Sequence, residues 1–339
     1  MGRMVGFFTG WINFFGWMFD LAALIQITAN ITVKMYATYH PQYVQQLWQT
    51  YITYVLITWL CAATVIFANR LLPRTQDAGM FFVIAGGIIT IIVLAAMPKN
   101  HALSHFVWGS FTENNLGWSG GVAFLCGEIP RPKRDLPKAV ALQLGLGFLY
   151  AFCLAIALCY AITDINALLS GINGYQLAMI YSQATGSAGG TFGLLFIIFL
   201  FIYPLHSGHR MSRSFCALAR DNAMPFSFPF GRVSEDLSRP VYATLLCALA
   251  ATGLGAIPLG STFLDLTGSF VILSTVSYAI PFTPNILTGR KYLPQGSFRL
   301  GKAGYFVNRT AVVLITLFNI FYCFPYSVPT TAMSMNSTA

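Results

Sequence analysis

Long apolar runs alternate with short polar loops along the whole chain. A helix that crosses a bilayer needs about 20 mostly apolar residues. The runs at 6–29, 51–68, 80–97, 139–162, 189–205, 241–259, 263–281 and 311–328 meet or approach that length. They are continuously apolar rather than alternating, so they predict helices and not barrel strands. Gly and Pro fall inside several runs, which membrane helices tolerate when neighbours satisfy the freed backbone groups. The expected fold is all-α, a polytopic transmembrane helical bundle forming one domain over 1–339. Two shorter helices are expected in the loops, near 175–182 and over 212–221.

Composition supports a lipid environment. Of 339 residues, 56% are hydrophobic and 9% charged, against roughly 25% charged in soluble chains. The net charge of +9 would suggest a polyanion partner in a soluble protein. Here the basic residues sit between the apolar runs, so they report topology and not nucleic-acid binding. Of the 19 Lys and Arg residues, all but Lys34 and Lys99 lie near the N-terminus or in loops around 69–79, 128–138, 206–240 and 282–310. The positive-inside rule puts those loops and the N-terminus in the cytoplasm. A multi-pass protein of the plasma membrane is the expectation.

One run breaks the scheme. The loop 101–115 is expected outside and the basic loop 128–138 inside, yet only the short run 117–127 separates them. Eleven residues rise about 17 Å at 1.5 Å each, against about 30 Å of hydrocarbon. Half a helix is missing there, or the helix borrows from polar sequence upstream.

Few residues can carry chemistry. Asp20 lies inside the first run, where a carboxylate is costly unless paired, hydrated or protonated. It is the one candidate for a substrate pathway, set against a helix face turned to a neighbour's polar group. Asp265, near a run end, reads as a helix cap. His101 and His105 have the spacing of a helical metal pair but no third ligand, so no metal site is expected. The seven cysteines show no CxxC spacing, so neither zinc nor a disulfide framework is implied. The stretch GSAGGTFG at 186–193 lacks the Lys-Ser/Thr of a phosphate loop and reads as helix packing. No catalytic constellation and no cofactor motif appears, so an enzyme is not expected. Sequons at Asn30 and Asn336 fall on the expected outer side and make the chain a candidate glycoprotein; Asn308 falls on the inner side.

Three cytoplasmic stretches carry a resemblance. EIPRPKRDLPKA at 128–139, with Glu128, Pro130, Arg134, Asp135 and Pro137, resembles the loop after the sixth helix of amino acid–polyamine–organocation permeases. RSFCALARDNAMPFS at 213–227, with Arg220 and Asp221, resembles the loop after their eighth helix. GRKYLPQGSFRLGKAGYFVN at 289–308 resembles the loop before their eleventh helix. The match is closest to the fungal branch that carries choline, γ-aminobutyrate and other amino acids.

This resemblance implies a partial inverted-repeat, LeuT-like transporter fold with broken helices at a midplane site. It also implies secondary transport of a small amine or amino acid through the lipid bilayer. The first run corresponds to the family's third helix. The family's first two helices, part of the sixth and the twelfth find no counterpart, so an inactive permease is expected. A non-transporting protein that binds a partner permease, or a gene model that has lost exons, are the alternatives. The pattern sets no oligomeric state. Cysteines introduced into 101–115 and 131–138 are expected to label from opposite membrane faces; a full-depth helix mapped between them would refute the short-helix reading.

Overall fold

The computed structural model describes residues 3–40, 42–68, 72–98, 102, 132–170, 175–206, 210–224, 226–234, 239–256, 262–289 and 301–323. Twelve helices occur among them: α1 (Arg3–Tyr39), α2 (Leu47–Phe67), α3 (Leu72–Ala96), α4 (Pro132–Ala161), α5 (Ile165–Ser170), α6 (Gln176–Thr185), α7 (Ala188–His206), α8 (Arg210–Arg220), α9 (Ser227–Phe230), α10 (Val241–Gly255), α11 (Thr262–Leu287) and α12 (Gly301–Tyr322). Five of these, α1, α2, α3, α11 and α12, are long and apolar enough to cross a membrane. The α2 helix, at 21 residues, is about 31 Å long, the depth of the hydrocarbon.

The helices differ from the apolar runs at their ends. The first run, 6–29, lies within a helix of 37 residues. The stretch 131–138, expected as a basic loop, is helical from Pro132 onward. Proline suits the first helical position, where its missing N–H would have had no partner. Likewise the last helix starts at Gly301, inside the polar stretch that precedes the run 311–328. The short run 117–127 lies outside the described residues.

The helices gather into two compact units. The first contains α1 up to Ala29, together with α2 and α8 to α12. Its tightest pairing is α2 with α10. Tyr54 on α2 is fully buried, and its hydroxyl donates to the Ala251 carbonyl at 2.7 Å. The ring lies over Gly255, where a methyl group would overlap it. Elsewhere in this unit α11 packs along α12, with Thr275 Oγ1 donating to Asn319 Oδ1 at 3.0 Å and Tyr305 to the Ile286 carbonyl at 3.3 Å.

The second unit contains α1 from Asn30, and α3 to α7. On α3, adjacent glycines admit two neighbours at once. Gly86 receives Ile197 of α7, and Gly87 receives Tyr150 of α4, whose hydroxyl donates to the Val83 carbonyl at 3.4 Å. Leu94 of α3 and Leu195 of α7 are fully buried. Gln183 of α6 is tied to the turn that precedes α5: it donates to the Asp164 carbonyl at 3.0 Å and accepts from the Thr163 amide at 3.1 Å. The Asp164 carboxylate accepts from the Ala167 amide at 3.0 Å, capping α5.

Large apolar side chains face outward. On α3, Phe81, Ile84, Ile88 and Ile92 are all exposed on the helix surface. Water would disfavour such a face, while lipid accepts it. Gly255→Val is expected to force Tyr54 off its seat and cost about 1–3 kcal/mol. Tyr54→Phe, which removes only the hydroxyl, is expected to cost about 1 kcal/mol. Thermal melting in detergent reads both, and an unchanged midpoint for Gly255→Val would contradict this packing.

Candidate functional site

Three polar features stand out in an apolar molecule. The first is a seam along α1 in the first unit. Asn13, Gly16 and Asp20 follow helical spacing and share one face. Asn13 Oδ1 accepts from Ser277 of α11 at 3.4 Å. At Gly16 a Cβ would stand 3.2 Å from the Ser274 amide nitrogen, so the two helices approach closely there. Trp17 meets Phe270 with ring centroids 5.4 Å apart. Ser274 and Ser277 are buried, and Ser277 Oγ donates to the Ser274 carbonyl at 2.6 Å. Asp20 continues this face by one turn and is half-buried.

The second feature is the 213–227 segment. The α8 helix is amphipathic, with Met211, Phe215, Cys216 and Ala219 on its buried side. Met211, Phe215 and Cys216 cluster with Phe14 and Met18 of α1 and with Ala243 and Cys247 of α10. Phe14 and Phe215 have centroids 5.2 Å apart. The chain then turns sharply, with Asn222 and Phe226 at φ of 53° and 60°. In this turn the Ala223 carbonyl accepts from Trp11 Nε1 at 3.0 Å. Arg220 is exposed at the end of α8, and its Nε donates to the Gly231 carbonyl at 3.4 Å; Asp221 is exposed beside it. A pocket of about 240 Å³ opens here, lined by Arg213, Arg220 and Arg239 among others.

The third is an open cavity of about 420 Å³ in the second unit, between the end of α1, α6 and the start of α7. Lys34, Thr38, Tyr175, Ser182, Ser187 and Thr191 give it its polar lining, and among the described residues no lining residue is acidic. Most of the hydroxyls are already engaged. Thr38 donates to the Lys34 carbonyl at 2.8 Å, Thr191 to the Ser187 carbonyl at 3.0 Å, and Ser187 Oγ accepts from the Gly190 amide at 3.2 Å. The turn between α6 and α7 depends on Gly186, at φ 58°, a conformation glycine adopts without a steric cost. Burial pushes the Tyr175 hydroxyl up to about 12, so it stays a neutral donor at physiological pH.

The residues singled out in the sequence do not converge on one place. Asp20 belongs to the α1 seam and Arg220 and Asp221 to the α8 turn. Arg134, Asp135 and Pro137 lie in the first turns of α4. Asn30 sits mid-helix, half-buried, with Oδ1 accepting from Gln45 at 3.3 Å. Glu128, Pro130 and Asn336 lie outside the described residues. Among the described residues, no group of three or more His, Cys, Asp and Glu is placed to hold a metal. The cavity was not foreseen. Its one sequence signal was Lys34, a basic residue on the side where such residues are scarce.

A family model described as "Amino acid permease" matches residues 1–339. A choline transporter of Saccharomyces cerevisiae is 28% identical, over 98% of this chain and 63% of its own length. An amino-acid permease of Arabidopsis thaliana, BAT1, is 27% identical over 75% of this chain and 55% of its own. A 7-keto 8-aminopelargonic acid transporter of Saccharomyces cerevisiae is 23% identical over 97% of this chain and 67% of its own. The chain thus spans between about half and two-thirds of the length of these relatives.

The α8 cluster makes a direct prediction. Phe215→Ala is expected to cost about 3–5 kcal/mol, whereas Ala217→Ser on the exposed side of the same helix should stay within about 0.5 kcal/mol. Equal melting temperatures for the two variants would refute the burial of this face.

Proposed function

The chain belongs to the amino acid permease family, and from that premise we propose that the protein moves a small amine or amino acid across a membrane by secondary transport. The match over 1–339 carries this reading. The molecule is an integral multi-pass membrane protein, and its family is one of permeases, not enzymes. The named relatives act on choline and on 7-keto 8-aminopelargonic acid. We assign this protein the same broad class of solute, a small molecule with a nitrogen group.

The distribution of Lys and Arg supports a cytoplasmic N-terminus, and residence in the plasma membrane is part of the same proposal. In that orientation the arginines of the α8 turn lie inside, and Lys34 and the sequons at Asn30 and Asn336 lie outside. Asp20 is assigned to the solute pathway. A half-buried carboxylate on a membrane helix is retained at a cost, and a cationic solute or a coupling ion would offset it.

Uptake of labelled choline, γ-aminobutyrate and neutral amino acids by a null strain expressing the protein tests this reading. Saturable uptake of at least one solute would support the transport reading over the inactive permease that the sequence pattern implies. Asp20→Asn should reduce it by at least tenfold at unchanged surface level. Uptake equal to the empty-vector control for every solute would refute the transport reading.

A further inference from the structure

The cavity between α1, α6 and α7 has a chemistry distinct from the α1 seam. Its volume of about 420 Å³ falls in the range of small-molecule sites. Among the described residues, Lys34 is its only charged lining residue. Among the described residues, the side-chain heads of Lys34, Tyr175 and Ser182 make no hydrogen bond to the protein, so three donors remain for a ligand. The α7 helix starts at this cavity, through Ser187 and Ala188, and the positive end of its dipole adds to the Lys34 charge. Lys34 is half-buried on the wall of this open cavity, where its ammonium meets whatever occupies the space, water or solute.

We infer that this cavity is a carboxylate-docking site, in which Lys34, with Tyr175 and Ser182, receives the acidic end of an amino-acid-class solute. The inference rests on the permease reading and sharpens it. A cavity with a lone positive charge repels a quaternary ammonium with no acid group and attracts a zwitterion by its carboxylate. Choline and γ-aminobutyrate form a matched pair of probes, since both carry a cationic nitrogen and only the second carries a carboxylate.

The test is equilibrium binding of labelled γ-aminobutyrate, alanine and choline to the full chain in lipid nanodiscs. At least one carboxylate probe should bind, with choline at least tenfold weaker. Lys34→Gln should weaken carboxylate binding by tenfold or more, while Lys34→Arg stays within about threefold. A thermal melt of each variant checks that the fold survives. Unchanged binding in Lys34→Gln, choline binding as tight as the carboxylates, or no binding of either carboxylate would overturn the assignment. Failure of the transport reading looks different: carboxylate binding that depends on Lys34, with no uptake in cells.

Discussion

Hydrocarbon accepts no hydrogen bonds, and that constraint shapes every polar group in this protein. A backbone or hydroxyl group facing lipid must find its partner within the chain. The threonines meet this locally. Thr28, Thr58, Thr90 and Thr244 each donate to the carbonyl four residues earlier in the chain. Side chains that reach further do so across a helix pair, as Tyr54 does to Ala251. Such a bond needs close approach, and close approach needs a small residue. Gly255 lies beneath the Tyr54 ring, and Gly87 beneath Tyr150. Glycine and tyrosine thus work as pairs here: one clears the space, and the other uses it to satisfy its hydroxyl.

The same logic explains why charged side chains are so few and so placed. Arg213 and Arg220 lie on the exposed side of the amphipathic α8, whose other face packs against Phe14 and Met18. That helix anchors the N-terminal half of α1 through Trp11 and Phe14. Since α1 also carries Asp20, the polar segment fixes the helix that bears the pathway candidate.

The class of fold was legible because lipid imposes a length and a composition that few soluble helices meet. Continuous apolar runs of about 20 residues leave little choice but membrane helices. Helix ends were less legible. Hydropathy reports where lipid stops, not where the helix stops, so α1 continues from Ala29 to Tyr39 through polar sequence. Charge density misled at 131–138, where prolines and basic residues suggested a loop. A helix that starts at Pro132 keeps its backbone regular while its first turns carry the charges. A helix over 212–221 was legible in the sequence, whereas its amphipathic packing emerged only with the contacts of Phe215 and Cys216.

The cavity was hidden for a different reason. Its walls come from residues about 140 positions apart, around 34–38 and 175–191, and none of them belongs to a recognisable motif. Only one residue was out of place by a physical rule. Lys34 defies the inward bias of basic residues, and a charge that defies its topology rule needs some local compensation. Hydration alone would serve if Lys34 stood free at the interface. It is half-buried in a concave wall with hydroxyl donors around it and no acid lining the space. Donors without an acceptor form a complete site only when the acceptor arrives from outside. That incompleteness is a stronger pointer to a ligand than the size of the cavity. It also explains why Asp20, the most conspicuous charge in the sequence, does not by itself define what the protein recognises. An acid on a membrane helix is compatible with any cation, whereas a cavity whose one charged lining residue among the described residues is a lysine favours an anionic group.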